Sequence, residues 1–259
     1  MRIIRYIAVS FSLYSALPMP RFEWKEEDTA KSLAFFPLVG VVIGCLFVLL
    51  NGIRPTADWP TAVRVLLSLL IPTAVSGGIH LDGFLDVEDA LHSFGDTEKK
   101  LEILKDPHIG AFAVIGLVKW LLLFAAAVTT ILLSPKCDLK VLCVTGLVFV
   151  ASRALSSLTS LLIPKARKSG MLVEETQRSG RGMVASAIIW LGLCFCLMLY
   201  LYPVLAIILA FVFVILTLWY RYGICKSFGG VTGDTAGFFL TITEIIGCGA
   251  VALTLLLTA

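Results

Sequence analysis

The sequence predicts an all-α fold, a polytopic bundle of about seven transmembrane helices preceded by an interfacial helix. Three observations lead there. The chain of 259 residues is 58% hydrophobic and only 15% charged, whereas a soluble domain runs at roughly 45–50% apolar and about 25% charged. Its mean hydropathy is +0.94. Its long apolar stretches lack the period-two alternation of a lipid-facing barrel, so helices must satisfy the backbone in lipid. A single integral-membrane domain over 1–259 is expected, with no room for a large soluble one.

The elements follow in order. Residues 1–17 are apolar behind Arg2 and Arg5. A cleaved signal peptide would leave the next segment outside, against the charge bias, so an interfacial helix with its arginines beside anionic lipid is expected. Seven spans follow, near 34–52, 61–79, 110–133, 140–163, 184–200, 203–221 and 235–257, each of roughly the 17–25 residues a crossing needs. The joint between the fifth and sixth falls near Tyr202-Pro203. With the N-terminus inside, fifteen of the 21 lysines and arginines lie in inside segments, and only Arg54, Lys136 and Lys140 lie in outside loops. The positive-inside rule then predicts a cell-membrane protein with a cytoplasmic N-terminus and an external C-terminus. Arg64, Lys119 and Arg153 fall within spans; Lys119 is expected to snorkel.

Composition also excludes several chemistries. The seven cysteines contain no C-x-x-C and sit mostly in apolar runs, where they pack as small hydrophobes. Basic residues border spans without interleaved aromatics, so no nucleic-acid partner is expected. No Ser/His/Asp or Cys/His constellation and no Walker-type lysine loop stand out.

The polar chemistry collects in three inside loops. In His80-Leu81-Asp82-Gly83-Phe84-Leu85-Asp86-Val87-Glu88-Asp89, the residues Asp82, Asp86 and Asp89 stand at i, i+4 and i+7. A helix stacks these like charges on one stripe, which a protein does mainly to hold a divalent cation. Glu88, Glu98 and Glu102 are read as water-facing. Thr97 to Lys105 reads as a short helix capped by Asp96 or Thr97, and Lys105-Asp106-Pro107-His108 follows it. The second loop carries Lys165, Arg167, Lys168, Arg178 and Arg181 with three glycines. It suits a mobile anion-binding loop or an ordinary contact with anionic lipid. The third, Phe228-Gly229-Gly230-Val231-Thr232-Gly233-Asp234, lets the backbone approach a ligand and opens the last span. Gly77-Gly78-Ile79-His80-Leu81-Asp82 and Gly229-Gly230-Val231-Thr232-Gly233-Asp234 share a Gly-Gly-x-x-x-Asp frame, a weak parallel repeat. Glu244 lies about 15 Å along the helix from Asp234. At that depth a carboxylate is a functional candidate, and Arg153 is a partner for it or for an anionic ligand. His80 abuts Asp82 and could orient it or bind phosphate. Carboxylates for a hard cation with arginines for phosphate fit Mg²⁺-assisted phosphoryl transfer at a membrane surface.

At these residues the chain resembles the cobalamin synthase family, the adenosylcobinamide-GDP ribazoletransferases. The likeness runs through Phe36-Pro37-Leu38-Val39-Gly40, Gly77 to Gly83, Asp86, Asp89, Lys105-Asp106-Pro107, Ile109-Gly110-Ala111-Phe112, Ala166-Arg167, Gly229 to Asp234, Gly237 and Glu244. It departs at Val87, Glu88 and Ala90, at Leu104, at Leu172 and at Thr241. The resemblance implies a Mg²⁺-dependent membrane enzyme. A ribose hydroxyl of α-ribazole, or of its phosphate, attacks the cobinamide-linked phosphorus of adenosylcobinamide-GDP; GMP leaves, and adenosylcobalamin or its phosphate forms. It implies Asp82, Asp86 and Asp89 on metal, with Asp82, Asp106 and Asp234 as catalytic candidates. His80, Lys105, Arg153, Arg167 and Glu244 are substrate-binding candidates, and Gly229, Gly230 and Gly233 line the nucleotide. Membrane lipid and a second copy of the chain complete the expected partners. Two other readings compete: a CDP-alcohol phosphotransferase-like lipid enzyme, whose aspartate pattern is not met after Asp82-Gly83, and a cation transporter, which wants its charges at midplane.

Overall fold

A computed structural model describes residues 2–177 and 180–258. Arg178 and Ser179 of the second basic loop lie outside the described residues. The architecture is all helical. Six helical stretches are long and apolar enough to cross a membrane, and a seventh crossing arises if the bent pair α4 (Thr61–Ser76) and α5 (Ile79–His92) is taken as one span. Six to seven spans stand against the seven expected, and several boundaries move.

The N-terminal helix α1 (Arg2–Tyr14) buries Tyr6, Val9, Phe11 and Tyr14 and leaves Ile3 and Ile4 exposed. It packs on α2 (Glu26–Ser32) and on α3 (Phe36–Gly52). Arg5 does not stand free for lipid: its guanidinium meets the Asp28 carboxylate at 2.6 Å and lies over the Phe22 ring. The helical stretch that carries the first span begins earlier, at Glu26, but its first seven residues are the charged α2, and the apolar crossing is α3, as expected near 34–52. Pro37 opens α3, where the missing amide costs nothing. Gly40 and Gly44 then let α3 lie directly on the backbone of α8 (Leu139–Leu162), where a side chain would collide with Phe149 and Gly146. Small residues four apart commonly bring two membrane helices into such close contact.

The second predicted span, 61–79, is interrupted. Gly77 and Gly78 adopt φ of 66° and 84°, and Gly77 caps α4 in the left-handed region. The chain turns by 97° into α5. The short α6 (Thr97–Ile103), whose Asp96 side chain caps Lys99 N, ends two residues before the predicted Lys105. Then come α7 (Ala111–Leu133), α8, the short α9 (Met171–Gln177), α10 (Arg181–Leu201) and α11 (Pro203–Trp219). Only Tyr202 separates α10 from α11. A single turn, α12 (Cys225–Ser227), and the last span, α13 (Gly233–Thr258), complete the chain.

Two charged residues behave differently from expectation. Glu88 is buried, not water-facing, and its Oε2 accepts from Lys119 Nζ at 2.7 Å. Lys119 consequently reaches across to α5 rather than along the lipid. The cause is packing: Gly116 on α7 leaves room for the Glu88 stem, and a carboxylate placed there needs a cation.

Candidate active site

Two helix joints meet to make the site. Gly229 and Gly230, at φ of 72° and 148°, turn the chain into α13 much as Gly77 and Gly78 turn it into α5. Each turn delivers an aspartate to a first helical turn, Asp82 on α5 and Asp234 on α13. The helices then pack reciprocally. Gly83 lies on the Asp234 backbone, where a Cβ would come within 2.9 Å of Cα and O, and Gly237 lies on the His80 backbone, at 3.2 Å from its O. Phe84 stacks on Phe238 at 5.4 Å. The shared glycine–aspartate frame is thus two halves of one joint.

The joint gathers carboxylates. The charges of Asp82, Asp234 and Asp89 all reach Asp86. Asp234 in turn feels Asp82 and one cation, Arg167. Asp82 is exposed, while Asp86, Asp89 and Asp234 are partly buried. Asp82, Asp86 and Asp234 bring oxygen donors of one charge to this joint, a donor type that suits a hard cation. Among the described residues no three acidic, histidine or cysteine side chains form a ready metal cage.

Asp89 has a different occupation. Oδ2 accepts from Gly110 N at 2.6 Å and Oδ1 from Ala113 N at 2.9 Å. It therefore caps α7 from a neighbouring helix and ties α5 to the start of that span. The stripe read from the sequence remains on one face of α5, but its last member faces backbone amides.

The remaining candidates sort by place. Arg167 donates to Leu101 O at 2.9 Å, and its Nε has no partner. Gly233 meets nothing within 4 Å and lines the cavity beside Asp82 and Asp234. Gly230 has a different use, because a Cβ there would strike Ala166 N at 2.5 Å. The loop is laced to the second basic loop by Val231 N to Pro164 O and Ala166 N to Val231 O, at 2.9 and 3.0 Å. Gly229 faces Thr97. Lys105 and Asp106 are exposed and outside the cavity. Asp106 bonds the His108 amide and imidazole, which hold its carboxyl below the usual range. Arg153 and Glu244 are buried and paired with each other beneath the joint. His80 lies between, its ring stacked on Phe36 and its Nδ1 covered without a partner.

Sequence reasoning missed two features. One is the row Ser156, Ser157 and Ser160 on α8, which faces the cavity beside Asp82; hydroxyls four residues apart in an apolar span were the available signal. The other is the buried Tyr14 hydroxyl, which donates to Glu175 at 2.8 Å and fastens α1 to α9; nothing in local sequence announces it.

A family model described as cobalamin-5-phosphate synthase matches residues 6–252. An adenosylcobinamide-GDP ribazoletransferase of Lachnoclostridium phytofermentans is 34% identical over 254 residues, covering 98% of this chain and 95% of that protein. One of Pseudomonas savastanoi pv. phaseolicola is 36% identical over 262 residues, with 97% and 98% covered. One of Clostridium perfringens is 32% identical over 251 residues, with 93% and 94% covered. No solved structure matches the chain.

Proposed function

The chain belongs to the cobalamin-5-phosphate synthase family, and from that membership we propose that it is a Mg²⁺-dependent adenosylcobinamide-GDP ribazoletransferase acting at the joint of α5 and α13. The observation that carries the proposal is the reciprocal packing of Gly83 on Asp234 and Gly237 on His80, which sets two aspartates from distant parts of the chain on one cavity. The site lies where α4 and α8 end and α7 and α13 begin. By the positive-inside distribution this is the cytoplasmic face of the cell membrane.

Asp82 and Asp86 are the residues that would hold Mg²⁺, and Asp234, across the joint, is left to take a proton. Bound there, the ion supplies charge neutralisation to the diphosphate and its leaving group. Arg167, already joined to Leu101, presents its guanidinium to phosphate. A ribose hydroxyl of α-ribazole or its phosphate attacks the phosphorus that bears cobinamide. The bond from that phosphorus to the oxygen of GMP breaks, and the hydroxyl proton passes to Asp234, which lines the cavity. Adenosylcobalamin or its phosphate and GMP are the products.

The test uses purified protein with Mg²⁺, adenosylcobinamide-GDP and α-ribazole, and measures GMP. Wild type should release it, and Asp82→Asn should not, while remaining folded. Arg167→Ala should raise KM for the nucleotide substrate more than it lowers kcat. Turnover retained by Asp82→Asn would remove the metal assignment. Mg²⁺ flux into liposomes without turnover would favour a transporter.

A further inference from the structure

Beside Asp82 and Asp234 the bundle encloses a cavity of about 140 Å³. One wall is aromatic. The Tyr14 ring centre lies 4.2 Å from that of Phe36, and Phe36 stacks on the His80 imidazole at 5.4 Å and 23°. A second wall is α8, which contributes Ser156, Ser157 and Ser160. Most of the polar atoms here are committed. Ser156 donates to Ala236 O at 3.2 Å, and the Tyr14 hydroxyl donates to Glu175. His80 Nδ1 and the Ser157 hydroxyl are not, the latter being the uncommitted hydroxyl donor. Ser157 is 2% exposed, it lines the cavity, and its Oγ has no hydrogen-bond partner. A buried hydroxyl without a partner is destabilising and rare in a native interior. In a cavity between apolar walls, it marks the place where a ligand brings an acceptor.

We propose that this cavity is the subsite for the base of the acceptor nucleoside. The base is a flat bicyclic aromatic with one unprotonated ring nitrogen, the benzimidazole of a ribazole. It lies against Phe36 and His80, and its ring nitrogen accepts the Ser157 hydroxyl. The assignment rests on the transferase reading above and adds the location of one substrate. Offset stacking on Phe36 and His80 adds to burial. The count of polar groups supports it as well. A benzimidazole asks for one donor at its ring nitrogen, and the Ser157 hydroxyl on the cavity wall supplies one. Position completes the argument: Asp82, Gly233 and Asp234 line the same cavity, so a base seated against Phe36 and Ser157 has its ribose within the same enclosure as these carboxylates.

The experiment varies each substrate separately for the full chain, its Ser157→Ala form and its Ser157→Leu form. Ser157→Ala should raise KM for α-ribazole about three- to tenfold, with KM for adenosylcobinamide-GDP constant within about twofold. Ser157→Leu fills the cavity and should remove saturation by α-ribazole. The alanine variant adds no volume and so guards against misfolding of the leucine one. In parallel, equilibrium dialysis of free dimethylbenzimidazole should show saturable binding to wild type and weaker binding to Ser157→Ala, without turnover. A KM rise confined to the nucleotide substrate would give the cavity to guanine. Unchanged constants in an active enzyme would overturn the subsite and leave the transferase reading standing. A wild type that releases no GMP but binds dimethylbenzimidazole through Ser157 would do the reverse.

Discussion

Replacing Gly83 with alanine tests whether the contact between the two helix joints sets the geometry of catalysis. The added Cβ would sit 2.9 Å from Asp234 Cα and 2.9 Å from Asp234 O, against a floor of 3.4 Å for ordinary contact. Both neighbours are backbone, so no side chain can swing aside. α13 must retreat from α5 by about 0.5 Å, and Asp234 with it. A displacement of 1 Å can cost about a hundredfold in rate, so half of that predicts roughly a tenfold loss of kcat, about 1.4 kcal/mol of barrier. Stability should change less. Overpacking costs about 1–3 kcal/mol, and alanine within a helix returns about 1 kcal/mol over glycine. Gly249→Ala, on α13 with nothing within 4 Å of its Cβ, is the control for the propensity gain. The assay is GMP release at saturating substrates, with thermal unfolding in parallel. A Gly83→Ala enzyme of wild-type kcat would refute the reasoning, as would an equal loss in Gly249→Ala.

Three further outcomes are expected. Asp89→Ala should cost about 1 kcal/mol of stability by uncapping Gly110 and Ala113; the Mg²⁺ concentration for half-maximal rate should stay put, whereas Asp82→Asn should abolish Mg²⁺-supported turnover, and a shifted requirement in Asp89→Ala would return it to the metal. Arg153→Met should destabilise by about 3–5 kcal/mol because Glu244 is left charged and buried, and adding Glu244→Leu should recover part of that loss in unfolding measurements. Burial pushes the Glu175 carboxyl up to about 7, above its ordinary value of 4.5. The folded state therefore holds this proton more tightly than the unfolded one, so its contribution is complete below about pH 4.5 and fades as pH rises through about 7. Protease cleavage within α9 should accelerate across that window in wild type and stay flat in Glu175→Gln.

Much of this molecule was legible in local sequence because the lipid environment imposes local rules. A backbone without water must be helical, and length and hydropathy locate the crossings residue by residue. That yields six to seven crossings, the charge bias and the glycine loop at Gly229-Gly230 before the last span; the break at Gly77-Gly78 fell inside the expected span 61–79. The aspartates were visible for the same reason, since charge is conspicuous against apolar sequence. Where α2 joins α3, and why α6 stops at Ile103, depended on neighbours and was read only approximately.

What the tertiary structure alone decided is how those charges are used. Spacing placed Asp82, Asp86 and Asp89 on one stripe, but the register of α5 against α7 gave Asp89 to backbone amides and Glu88 to Lys119. Composition marked Arg153 and Glu244 as costly in lipid, and only helix packing paired them. The meeting of Gly83 with Asp234, 151 positions apart in the sequence, and the serine-walled cavity beside it arise from the way helices cross. A crossing is a property of two surfaces together, so neither segment carries it alone.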